Sequence, residues 1–93
     1  MPMKKYILNG KAIRSLDDFY DELSKQLSLP AHFGRNLDAL WDVLSTDVEG
    51  PFEIIWKHAG ESKKTMSGDF ERVQGVLQDL KKERADFIFR LEP

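Results

Sequence analysis

Cysteine is absent from all 93 residues, so neither a disulfide framework nor a thiolate nucleophile is available. No apolar run reaches the roughly 18 residues that a bilayer span requires. The N-terminal Met-Pro-Met-Lys-Lys-Tyr-Ile-Leu-Asn-Gly also has too short an apolar core for a secretory signal. Positive charge is not in excess: 16 acidic against 14 basic residues leave a formal net charge of −2. That balance argues against a general binder of nucleic acid or of anionic membrane, both of which need clustered positive charge. There is no glycine-rich phosphate loop, nucleophile elbow or recognised metal-ligand spacing. The expectation is a cytoplasmic protein with no cofactor and no enzymatic chemistry, matched to a cationic partner surface.

Against those absences stands one dense stretch, Leu29 to Leu44. Leu37, Leu40, Trp41 and Leu44 recur at i, i+3, i+4 and i+7, which lays an apolar stripe along a helix. Asn36 is the natural N-cap, and Pro30 and Gly34 punctuate the loop before it. Asp38 and Asp42 then lie four apart on one face, where like charges weaken a helix by a few tenths of a kcal/mol. The helix terminus favours Asp38, but its field fades within the first turn and leaves Asp42 uncompensated. Spacing alone is equally compatible with a merely solvated face and with an acidic face kept for a partner. Between His32 and Glu49 the acids are Asp38, Asp42, Asp47 and Glu49, against Arg35 alone. Such clustering suits steering toward a basic cleft, although Asp47 and Glu49 read more simply as a solvated loop.

The remaining chain alternates strand and helix signals over what is expected to be a single domain, 1–93. Tyr6 to Leu8 reads as a strand closed by a turn at Asn9-Gly10. Ser15 caps a first helix with Leu16, Phe19, Leu23 and Leu27 on its apolar face, and Asp18 takes the place of the carboxylate in a shortened capping box. Phe52 to Trp56 is the strongest strand signal, apolar apart from Glu53 and so expected in the sheet interior. His58 to Met66 predicts at most a short helix or turn, because Gly60 weakens a helix there. Ser67-Gly-Asp introduces a last helix with Phe70, Val73, Val76, Leu77 and Leu80 buried, and Lys81, Lys82 and Arg84 complementing its C-terminus. Asp86 to Leu91 closes the chain as a strand. The pattern predicts an α/β, two-layer domain with a three-stranded parallel sheet and three to four helices.

Of three kinds of chemistry that these residues could carry, the first two are unsupported by the sequence. His32 and His58 could form an acid–base pair for ribonucleolytic cleavage, though His58 reads more simply as a surface residue. Asp38, Asp42 and a histidine could hold a hard ion such as magnesium, but in no recognised spacing. An acidic, partner-binding helix is the third.

The run Leu-Pro, His32-Phe33-Gly34 and Asn36-Leu37-Asp38-Ala39-Leu40-Trp41-Asp42 closely resembles the signature of the barstar family, intracellular inhibitors of a secreted bacterial ribonuclease. The similarity extends over nearly the whole chain, through Ile-Leu-Asn-Gly, Ile13-Arg14-Ser15, Gly50-Pro51 and Trp56. It implies a small parallel sheet packed with helices, a monomer that forms a 1:1 heterodimer with a small basic ribonuclease, and a second helix that plugs the enzyme's active site. On that resemblance Asp42 looks like the carboxylate that enters the phosphate-binding pocket, Asp38 the acid beside it and Asp79 an outlying acid. His32, Phe33, Gly34, Asn36 and Trp41 complete the implied partner-binding set, His32 standing where the family's best-known member has an aromatic. Arg35 and Asp47 depart from that member, which has an acid and a large aromatic there, and Val43 and Ala85 stand at its cysteines. Those departures keep open an alternative: an interaction module of the same fold that binds a different toxin or a regulatory protein.

Overall fold

The computed structural model describes residues 3–93. In chain order the elements are β1 (Lys4–Asn9), a 3-10 turn (Gly10–Ala12), α1 (Leu16–Leu27), α2 (Leu37–Asp42) running on into a π turn (Val43–Asp47), β2 (Phe52–Lys57), α3 (Ala59–Met66), α4 (Gly68–Glu83) and β3 (Phe87–Leu91). The strands form one parallel sheet in the order β1-β2-β3. This is the expected three-stranded α/β architecture with four helices. Each strand reaches its neighbour through a helical crossover. Two crossovers stepping the same way, with the usual right-handedness, fall on the same face of the sheet.

Burial agrees with that placement. The register puts Leu8 beside Trp56 and Phe52 beside Phe87, and these side chains share one core with Phe19, Tyr20 and Leu23 of α1, Leu40 of α2 and Phe70, Val73, Leu77 and Leu80 of α4. Trp56 is its centre, stacked on Phe19 at 5.2 Å and tilted against Phe70 at 5.1 Å between ring centroids. Its indole N–H donates to Ser62 Oγ at 3.1 Å, and that hydroxyl donates to the Gly10 carbonyl at 2.8 Å. The network satisfies each buried polar atom on it and docks α3 onto the end of β1. A Cβ at Gly10 would run into the His58 and Lys57 carbonyls, so the backbones meet there only with glycine.

The other face carries Lys5, Ile7, Glu53, Ile55, Ile88 and Arg90. Ile7 and Ile88 are 44% and 40% exposed, as expected of a sheet covered on one side. Glu53, the exception in the apolar β2 run, is buried and paired with Arg90 Nε at 3.0 Å. The Tyr20 hydroxyl is buried without a partner among the described residues, and burial pushes its pKa above the ordinary phenol value.

Local expectations fare unevenly. Ser15 Oγ accepts from the Asp18 N–H at 3.1 Å as a cap should, but the Asp18 carboxylate accepts from the Arg14 N–H, one residue before the cap, and not from Ser15. The short-helix option for His58 to Met66 is the one realised, since α3 makes two turns after a left-handed His58. Leu37–Leu44 is not one uninterrupted α-helix. The ladder widens after Asp42, where the Val48 N–H reaches back to the Val43 carbonyl at 3.1 Å.

Gly75 lies exposed in the middle of α4, and a Cβ there would meet nothing within 4 Å. Gly75→Ala should therefore stabilise the fold by about 0.5–1 kcal/mol. A urea titration should show a higher midpoint at unchanged slope, and an unchanged or lower midpoint would contradict this account of α4.

Candidate functional site

The site is built by α2 and the loop before it. Asn36 has extended backbone, and its Oδ1 accepts from the Ala39 N–H at 2.7 Å, which starts the helix where the sequence places it. Leu40 is buried and Trp41 half-buried against the core, so one side of α2 is fixed to the domain. The opposite side presents Asp38 and Asp42 to solvent. Among the described residues neither carboxylate accepts a hydrogen bond or pairs with a cation within the chain.

His32, Phe33, Gly34 and Asp42 come together around a hollow of about 180 Å³, with Pro30, Ala39, Val43 and Asp47 completing its wall. Pro30, Phe33, Ala39 and Val43 supply its apolar lining, and its two acids, Asp42 and Asp47, are exposed. Asp38 and Asn36 are not in the lining: Asp38 sits one turn back from Asp42, and Asn36 is committed to its cap. Asp79 is exposed on α4, the helix against which α2 packs. A hollow of about 250 Å³ elsewhere, lined by Gly10, Lys11, Arg14, Glu61 and Thr65, mixes both charges. His58 lines yet another concavity, so the two histidines are not brought together as an acid–base pair. Among the described residues no three His, Asp or Glu side chains are grouped so as to hold a metal ion.

The π turn is fixed by a residue that sequence reading assigned to another task. Arg84 was expected to complement the α4 terminus, but its side chain turns back across the fold. Its Nη1 donates to the Leu44 and Val48 carbonyls at 2.8 and 2.7 Å, while Nε and Nη2 donate to the two Asp86 oxygens at 2.9 and 2.8 Å. The guanidinium also lies over the Phe52 ring, 4.9 Å from its centroid. A Cβ at Gly50 would run into this pair, so the chain passes close by it as glycine. The Ser45 and Thr46 hydroxyls donate back to the Asp42 carbonyl at 3.3 and 2.6 Å, the kind of local bonding that loosens an α-helical ladder. That Ser-Thr pair is the one sequence signal that could have warned of the π turn; nothing local foretells Arg84.

Arg35, the lone cation of the acidic stretch, does not face outward unpaired. It reaches α1, with Nη2 2.9 Å from Asp21 Oδ1 and 3.6 Å from Asp17 Oδ1, and donates to the Asp17 carbonyl at 3.1 Å. Its charge is thus matched by acids of α1, and Asp38 and Asp42 keep theirs. In such an arrangement the exposed carboxylates can accept charge-assisted hydrogen bonds from guanidinium, ammonium or imidazolium groups, and the apolar hollow can take a flat side chain beside them.

The chain is similar to known proteins over nearly its whole length. The family described as "Barstar (barnase inhibitor)" matches residues 3–92. A protein of Bacillus subtilis (strain 168), named "Putative ribonuclease inhibitor YrdF", is 32% identical over 84 residues, which cover 90% of this chain and 92% of that protein.

The Arg84 hydrogen bonds hold the Asp86 carboxyl below its ordinary range. A depressed carboxyl contributes stability in full above about pH 4, and the contribution is lost as pH falls below that value. Asp86→Asn should therefore flatten the fall of stability below pH 4 in acid unfolding followed by circular dichroism. Parallel acid limbs for the two proteins would refute the pairing. Arg84→Met, which leaves the Leu44 and Val48 carbonyls without their donor, should cost about 1–3 kcal/mol.

Proposed function

We propose that this chain, which belongs to the barstar family, is an intracellular inhibitor of a small basic ribonuclease and blocks that enzyme's active site with acidic side chains that imitate RNA phosphate. The observation that carries the reading is the pair Asp38 and Asp42, exposed and unneutralised on a helix whose other side is locked into the core. Asp17 and Asp21 of α1 have the same spacing but are paired with Arg35, whereas Asp38 and Asp42 have no cation beside them among the described residues. In this reading Asp42 enters the phosphate-binding pocket and bonds to the enzyme's cationic side chains. Asp38 supports it, and Asp79 contributes from the neighbouring helix. His32, Phe33 and Gly34 close over the rim of the cleft, while Asn36 and Trp41 hold α2 in position. The partners form a 1:1 complex with no direct contact to nucleic acid.

The reading also gives the clustered charge a kinetic role. Opposed fields raise the rate at which two proteins meet, and salt screens them over a length of about 10 Å at 0.1 M. Association should therefore slow as salt rises.

The test is a titration of a guanyl-specific secreted ribonuclease by wild-type chain and by Asp42→Ala. Truncating one member of a hydrogen-bonded charge pair buried in an interface costs about 2–5 kcal/mol, because its partner is left desolvated. The barnase–barstar complex is itself a measured case of such coupling, so the magnitude is carried over from that class of interface. Inhibition should weaken by roughly 30- to 5,000-fold with the unfolding midpoint unchanged. A loss of about tenfold or less would remove Asp42 from this role, and association rates indifferent to salt would remove the steering.

A further inference from the structure

We infer that Arg35 is a positioning residue of the inhibitory loop: it latches residues 31–36 onto α1 so that the hollow beside Asp42 exists before a partner arrives. The inference rests on the ribonuclease-inhibitor reading for its binding readout. Its structural part stands separately.

Four observations meet at this residue. Its backbone is left-handed, with φ of 52°, a conformation that a non-glycine residue adopts only when its surroundings hold it there. The side chain makes two ion pairs to α1, to Asp21 and Asp17, and donates to the Asp17 carbonyl. The guanidinium lies over the Tyr20 ring, 5.7 Å from its centroid. The same ring meets Phe33 edge-on at 5.7 Å, and Phe33 is part of the wall of the hollow. Tyr20 itself is only 1% exposed, so it is a fixed platform. Phe33 and Arg35 therefore grip one buried aromatic from either side of Gly34, and His32, next to Phe33, lies in the wall of the same hollow.

The loop has few other restraints. Its own backbone contributes the Phe33 N–H to Pro30 carbonyl bond at 3.0 Å, and the Asn36 side chain donates to the Gly34 carbonyl at 3.3 Å. Without the latch, ordering the loop would fall to the moment of binding and weaken the complex by the cost of that ordering. The bland alternative assigns Arg35 no role beyond its charge, and the two accounts predict opposite signs. A cation standing on a face meant for a cationic partner repels it, so on the charge account Arg35→Ala speeds and tightens binding. On the latch account the same change weakens it.

The experiment measures both binding and loop order. For Arg35→Ala, inhibition of a guanyl-specific ribonuclease should weaken by roughly tenfold, and in the free chain the Phe33 amide should exchange faster by a similar factor while amides of α4 keep their rates. Arg35→Lys, which keeps the charge but loses the planar fork, should restore only part of either effect. The double variant Asp17→Asn with Asp21→Asn should loosen the same amide, and adding Arg35→Ala to it should loosen it little further. Binding by Arg35→Ala equal to or tighter than wild type overturns the inference, and so does a Phe33 amide that exchanges at the wild-type rate. If wild-type chain inhibits no ribonuclease, the proposed function falls, and the exchange rates in the free chain still decide the latch.

Discussion

The Arg84 guanidinium joins two pieces of chain that are remote in sequence: the end of α4, and the π turn after α2 with the start of β2 just beyond it. Its side chain is 15% exposed and all of its nitrogens are engaged, on Leu44, Val48 and the Asp86 carboxylate. Such an arrangement suits arginine in particular, because the planar fork serves two carbonyls on one side and a carboxylate on the other. The consequence lies one turn upstream. The bonds to the Leu44 and Val48 carbonyls tie the end of this helical segment to α4, and Leu40 in the core fixes which side of α2 carries Asp38 and Asp42.

At the other end of the same segment Asn36 starts the helix and Arg35 ties the loop to α1. The acidic face is thus held at both ends by arginines whose charge is already matched, one by Asp86 and one by Asp17 and Asp21. This explains how a chain with 14 basic residues still presents an unneutralised acidic surface. Nearby cations are used for structure and are not free to collapse onto Asp38 or Asp42. The sheet supports this arrangement: its covered face supplies the core on which α1, α2 and α4 rest.

Much of this is written in local pattern. Strand and helix periods, the Ser15 and Asn36 caps and the apolar β2 run all rest on interactions within a few residues, and the sequence-based expectation of a parallel three-stranded sheet follows from their alternation. The acidic pair on α2 was equally readable, since two carboxylates four apart need only helical geometry to be neighbours. What stayed hidden depends on contacts across the fold. Arg84 looked like an ordinary helix-terminal cation because its acceptors lie about 40 residues back. Arg35 looked like a departure facing the partner because its counter-charges sit on another helix. The π turn escaped notice because apolar spacing through Leu44 is the same whether or not the ladder widens beneath it.

The claim on which all of this depends is that the free carboxylates of α2 are the part of the molecule that meets a partner. Amide-exchange protection mapped on the chain with and without a bound guanyl-specific ribonuclease tests it most directly. The account predicts new protection concentrated in residues 32–42, with none at Lys11, Lys57 or His58, which line other concavities. Protection at those basic positions while the α2 amides exchange as in the free chain would contradict it.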